Sequence, residues 1–340
     1  SQVISDSINK GFFMLRGLFL CIFSVISAQE AEYFQQNVDY NIEVTLNDTN
    51  HTLTAFEKLI YSNNSPDTLD FIWFHIWPNA YKNDSTAYAK QAGENSRFAK
   101  SDSSERGFID SLDFSADGQK VVWENHPDWI DVIKVHLNDP LYPGGSVTIE
   151  TPFFVKIPLV FSRLGHTGKH YEITQWYPKP AVYDNDGWHP MPYLDQGEFY
   201  SEFGSFDVSI TLPSNYTVGA TGDLQNIGEI NRLNQLAKAT DTITKFRDDL
   251  SFPLSDLTTK TLRYTQNNIH DFGWFADKRF HVLKGEVEVP HTKEKVTLWT
   301  MFTNNEADLW KNSIEYMHDA VYYYSLWNGD YPYKQCSAVD

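Results

Sequence analysis

The residues able to do chemistry are numerous here, but few stand at a spacing that chemistry demands. His166-Thr167-Gly168-Lys169-His170 places two imidazoles four residues apart, the interval at which a helix presents two metal ligands. No Glu follows the first His, and Gly168 opposes a helix, so the pair reads as loop histidines. The rest of the 11 histidines are scattered without ligand spacing. Asp113, Ser115, Asp117, Gly118 and Glu124 fall at the ligand and glycine positions of a calcium loop. Lys120 stands where an apolar residue belongs, and no amphipathic helices flank the segment. Asp117-Gly118 between two apolar runs predicts a β-hairpin instead. Asp195, Glu198 and Glu202 offer carboxyl groups of the kind that glycosidases pair across a cleft. In an acidic chain such proximity arises by chance, and this reading ranks low.

One stretch is odder than any of these. Residues 175–193 hold four prolines, two tryptophans and three tyrosines. Proline removes backbone donors and drives its predecessor to extended geometry, so neither a helix nor a central strand runs through it. Its rings suit a rigid, packed loop of the kind that carries function.

The elements that must position this loop read as mainly β. Residues 40–46, 53–61 and 69–77 alternate or run apolar between turn clusters, followed by a polar stretch over 82–106 with room for a short helix. Further strands are expected at 108–114, 121–124, 130–137, 147–157, 206–212, 216–220, 242–246 and 261–266, as in a β-sandwich or curved sheets. After about residue 275 the pattern changes. Strands at 280–283 and 296–302 precede a helix over 306–327, capped by Asn305 and stopped at Asn328-Gly329. It is the only long amphipathic helix expected, and its apolar face is expected to be exposed. Residues 335–340 read as a strand without a partner.

With 340 residues, 41% of them hydrophobic, the chain has material for one large or two ordinary domains. Its formal net charge of −18 opposes nucleic acid, which needs a basic footprint. Met14-Leu15-Arg16, the apolar run to Ile26 and Ser27-Ala28 have the pattern of a secretory signal peptide, too short to span a membrane. The expected division is therefore 1–13 upstream of the true start, 14–29 signal peptide, 30–274 amino-terminal β domain and 275–340 the start of an incomplete catalytic domain. Cleavage near Ala28 removes Cys21 and leaves Cys336, so no internal disulfide is expected. Export to the periplasm or beyond follows from the leader, with no stable membrane span after its cleavage.

Four ordered segments carry a family resemblance over residues 38–340. They are Gln175-Trp176-Tyr177-Pro178 with Gly187-Trp188, Phe206–Pro213 with Val218–Gly222, His270-Asp271-Phe272-Gly273-Trp274, and Tyr331-Pro332-Tyr333 before Val339. Together they resemble the amino-terminal part of the aminopeptidase N-like (gluzincin) zinc metallopeptidases. The resemblance implies a saddle-like or sandwich β domain followed by the opening strands and first helix of a thermolysin-like catalytic domain. It implies a peptide substrate cut from its free amino end. It also implies zinc, bound by the two His of a His-Glu-x-x-His segment and a later Glu, with a Gly-x-Met-Glu motif ahead of them; this sequence contains neither motif. The chain by itself is thus expected to hold no metal and to be inactive. By order, Gln175 matches a family Gln near the substrate's amine, and Tyr177 falls where other members carry Glu or Gln; these two are the expected substrate-binding residues. The alternative is a secreted, non-catalytic β-sandwich module that binds glycan or peptide, with Trp176 and Trp188 as stacking surfaces.

Overall fold

The computed structural model describes residues 33–340, of which 34–340 form one compact unit. The expected leader over 14–29 and Cys21 lie outside the described residues. The fold is mainly β, as expected.

A nine-stranded sheet forms the spine. Its centre is the strand Asn37–Asn47, parallel to Phe203–Pro213 on one side and antiparallel to Thr52–Ser62 on the other. Alternation decides its faces: Val38, Tyr40, Ile42, Val44 and Leu46 point into the core, while Glu43 and Thr45 face out. Gly204 allows the parallel pairing, because a Cβ there would stand 1.7 Å from the Val38 carbonyl oxygen. Two four-stranded sheets pack beside it. One contains Leu164–Thr167, His170–Ile173, Trp274–Asp277 and Thr217–Ala220; the other contains Lys179–Pro180, Leu69–His75, Val132–Leu141 and Trp123–Asn125. A three-stranded sheet follows, built from His281–Glu288, Lys295–Phe302 and Gln335–Val339.

Several expectations need correction. The terminal strand Gln335–Val339 has a partner: it lies parallel to Lys295–Phe302, from Gln335 against Thr297 to Val339 against Met301. A helix over Ile227–Asp241 was not expected. Its buried stripe is Glu229, Leu233, Ala237 and Thr240, half of it polar, which leaves only a faint apolar period. Leu233 and Ala237 pack on Phe280, Val282 and Met301. The expected strand at 242–246 is instead the turn that leaves this helix; its β-branched residues find no neighbouring strand. The expected helix over 306–327 is broken into Ala307–Trp310 and Ser313–Asn328, and Asn305 caps neither. Gly329, at φ 102°, does end the second. In the polar stretch, Thr86 caps a short helix over Ala87–Ala92.

Candidate functional site: a cavity at the start of the proline-rich loop

The proline-rich segment is a loop folded inward. Lys179–Pro180 pairs with Phe74–His75, and Tyr183–Asp184 forms a small hairpin with Gly187–Trp188. Trp176, Tyr177, Ala181, Val182 and Tyr193 are buried. The loop begins at Gln175, whose φ of 54° is left-handed for a residue with a side chain. That conformation costs about 1–2 kcal/mol, and such outliers concentrate where the surrounding structure holds a working geometry.

Gln175 sits in the wall of a cavity of about 710 Å³. Arg163, Glu172 and Thr174 supply one side with Glu198 and Phe199, residues 219–222 and 266–273 supply another, and the Tyr331–Val339 segment lines the rest. Its charged lining comprises Glu172, Glu198, Asp271 and Arg163, with His270 beside them. One Arg163 guanidinium nitrogen is buried without a hydrogen-bond partner.

Asp271 is the node of the wall. Its Oδ1 accepts hydrogen bonds from Lys179 Nζ at 2.9 Å, from the Tyr177 hydroxyl at 2.8 Å and from the Phe272 backbone N–H at 2.8 Å. Its Oδ2 accepts from Gln175 Nε2. The Gln175 Oε1 in turn accepts from Lys179 Nζ at 3.2 Å, which fixes the orientation of the amide. Lys179 also reaches Ser201 Oγ at 3.3 Å and lies over the rings of Trp77 and Tyr177. Trp176 Nε1 donates to the Phe272 carbonyl at 3.0 Å, strapping the loop to the 271–273 link.

Burial works against ionisation of Asp271, but Lys179, Tyr177 and the Phe272 N–H outweigh it and hold the carboxyl below its ordinary value. Burial draws the Lys179 ammonium down, opposed by Asp271 and Glu57. The Tyr177 phenol is pushed far up by burial and by the Asp271 charge, so it stays a donor. Glu57, on the Thr52–Ser62 strand behind this cluster, is pushed well up by burial, against the pull of the Lys179 charge.

The structure thus brings Gln175 and Tyr177 together, both on one carboxylate. Gln175 lines the cavity, with both ends of its amide engaged inside the protein. Tyr177 lies behind it, 2% exposed. Sequence reasoning did not select Asp271 or Lys179 as site residues. Asp271 is 96 positions from Gln175, and only the fold reveals their contact. Trp176 has no exposed face, whereas Trp188 is half-buried against Tyr183 and Phe71.

The remaining candidates have other partners. His166 and His170 stand on a β-hairpin, not in a loop; His166 stacks on His51 at 3.8 Å, and His170 binds Asp277 at 3.0 Å. Asp117 and Gly118 form the hairpin turn, both with positive φ, and Lys120 sits 3.0 Å from Asp113. Asp195 accepts from Ser162 Oγ, and the buried Glu202 accepts from the Tyr183 N–H. Among the described residues no group of three or more His, Cys, Asp or Glu is placed to hold a metal ion, so they do not fit a zinc centre. No described helix is long and apolar enough to cross a membrane.

No protein-family model matches this chain, and no curated protein sequence does. Solved structures do. A two-domain M1 zinc metallopeptidase, a mutant bound to L-arginine, matches with a TM-score of 0.50 at 13% identity, over 90% of this chain and 56% of its own. A mutant M1 zinc metallopeptidase from Deinococcus radiodurans, bound to a Tyr-Ser-Ala substrate, matches with a TM-score of 0.52 at the same identity and coverage. The M1 zinc metallopeptidase of that organism gives 0.50, again at 13% identity over 90% of this chain and 56% of its own. This chain therefore spans little more than half the length of these structures, and the likeness is one of fold.

Proposed function

We propose that this chain forms one wall of the peptide cleft of an exported zinc aminopeptidase whose zinc ligands lie outside it. The observation that carries the reading is the cavity itself, which meets the strained Gln175 on one side and the Gln335–Val339 strand on the other. Such a concave site with a few convergent polar groups is the usual form of a small-ligand site. The fold shared with zinc metallopeptidases, one of them bound to a tripeptide, supports peptide as the ligand. In this reading residues 30–274 are the amino-terminal β domain and 275–340 open the catalytic domain. Gln175 and Tyr177 shape the end of the cleft that receives the substrate's amine. Zinc, bound elsewhere, would supply the activated water; this chain's residues bind and orient the peptide.

The test has two arms. The 340-residue chain is expected neither to hydrolyse an aminoacyl-amide substrate nor to retain stoichiometric zinc after dialysis. A polypeptide that joins it to a His-Glu-x-x-His zinc domain from its own reading frame is expected to do both. Zinc-dependent hydrolysis by the 340 residues alone, or a reading frame that stops at Asp340, would overturn the proposal.

A further inference from the structure

His51 and His166 meet where the spine touches a neighbouring four-stranded sheet. His51 ends the turn between the strands Asn37–Asn47 and Thr52–Ser62, at a left-handed φ of 54°. The Ile157 N–H holds that turn by donating to the His51 carbonyl at 2.9 Å. His166 stands on the strand Leu164–Thr167, at the edge of its sheet. The two imidazoles lie face to face, 3.8 Å between centroids and 7° from parallel. Both residues are half-buried, so protons reach them from solvent. His51 Nδ1 is 2.8 Å from the Tyr171 hydroxyl. His166 Nδ1 is 3.1 Å from the Gly168 carbonyl, which can only accept. The proton of the neutral His166 ring therefore sits on Nδ1, and Nε2 is its basic nitrogen.

The surroundings suit this pair only while it is neutral. The charges that face it are Asp48 and Lys169 at His51, and Lys156 at His166. Asp48 is the one carboxylate among these, and it is already shared. Lys169 Nζ lies 3.3 Å from it and Lys278 Nζ 3.8 Å, and the hydroxyls of Tyr216 and Ser255 donate to it. A proton on one ring thus meets a lysine, and protons on both set two cations in contact. We infer that the stacked pair is an acid-sensitive latch. Neutral, it fastens the hairpin Leu164–Ile173 to the turn of the spine; protonated, the rings part and the hairpin loosens. Glu172 lies on this hairpin and Arg163 and Thr174 flank it, so the latch ties one side of the cavity wall to pH. The inference stands on the fold and does not need the cleft reading. Burial, then the neighbouring cations, holds the His166 imidazole down from 6.5 to about 4, and burial also lowers His51. The fastened hairpin therefore binds protons less tightly than the loosened one. Its hold is complete above about pH 6.5 and is lost as pH falls toward about 4.

Amide exchange and histidine NMR titration of the 340-residue chain, between about pH 7 and about pH 4, test the latch. The Ile157 amide reports the turn. The His166 amide, which donates to the Pro158 carbonyl at 2.9 Å, reports the hairpin. Val44, on the central strand paired on both sides, is the control. With intrinsic exchange rates divided out, opening at Ile157 and His166 is expected to rise roughly a hundred-fold over this range, the factor for one imidazole held down from 6.5 to about 4. The rise should track proton uptake by the two rings, while Val44 keeps its protection. His166→Phe keeps a ring on His51 but takes no proton there, and the rise is expected to shrink to a few-fold. Because that change removes the Gly168 contact and can unsettle the hairpin, the unaltered chain decides the question by itself. Proton uptake by both rings without loss of protection at Ile157 and His166 overturns the latch. So does equal loss at Val44, which is global unfolding, or an undiminished rise in a folded His166→Phe chain.

Discussion

The proline-rich loop and the helix Ser313–Asn328 are both crowded with aromatic rings, and the fold treats them oppositely. In the loop, Trp176, Tyr177 and Tyr193 are buried, and each polar tip has a partner: the Phe272 carbonyl, Asp271 and Ser162. In the helix, Tyr316, Tyr324 and Trp327 are exposed, while a single stripe of Ile314, Met317 and Val321 meets Val287, Val296 and Leu298. The difference is geometric. A helix packed on one sheet hides one stripe, and rings pointing elsewhere stay in solvent or meet only rings of the same helix, as Trp327 meets Tyr323. An irregular loop can turn its rings to several sides and be enclosed by different strands. Aromatic content therefore measures neither burial nor contribution to stability; the number of neighbouring elements does.

Substitutions can break this comparison. Trp176→Ala should cost roughly 3–5 kcal/mol, as expected for a fully buried large ring, whereas Trp327→Ala at a side chain 72% exposed should stay within about 0.5 kcal/mol. Urea denaturation of both variants measures the contrast, and equal losses would refute it. Lys179→Met should cost about 3 kcal/mol, near the low end for a broken buried pair, because Asp271 keeps a quarter of its side chain in solvent. A neutral result would mean that the carboxylate is relieved by protonation or water. The smallest effect should come from Glu202, under the loop at Tyr183. Burial, with the nearby Asp184 charge, pushes its carboxyl up to about 7. The folded state therefore holds this proton more tightly than the unfolded chain. Its contribution is complete below the ordinary value of 4.5 and is lost as pH rises through about 7. Melting temperature should fall between about pH 5 and about pH 8, and Glu202→Gln should lessen that fall.

The legible parts of the fold were those whose signal is local. Alternation over 40–46 and 53–61 marked the central strands, and Asp117-Gly118 marked its hairpin, because both patterns are set by the backbone's period and by φ preference. The helix at 227–241 escaped because its buried face is partly polar: Glu229 is held by Arg232 on the same helix and by Lys260, 31 positions away, a partner that no local pattern announces. The terminal strand looked unpaired because parallel partners are remote in sequence.

For the loop itself, the sequence determined its rigidity, its irregular path and the presence of Gln175 and Tyr177 near one another. Those properties follow from proline chemistry and covalent neighbourhood. Only the tertiary structure decided that both residues converge on Asp271, with Lys179 behind it and a cavity in front. Long-range pairing of charges depends on which strands are brought alongside, and it is the packing of the sheets that places residue 271 against residue 175.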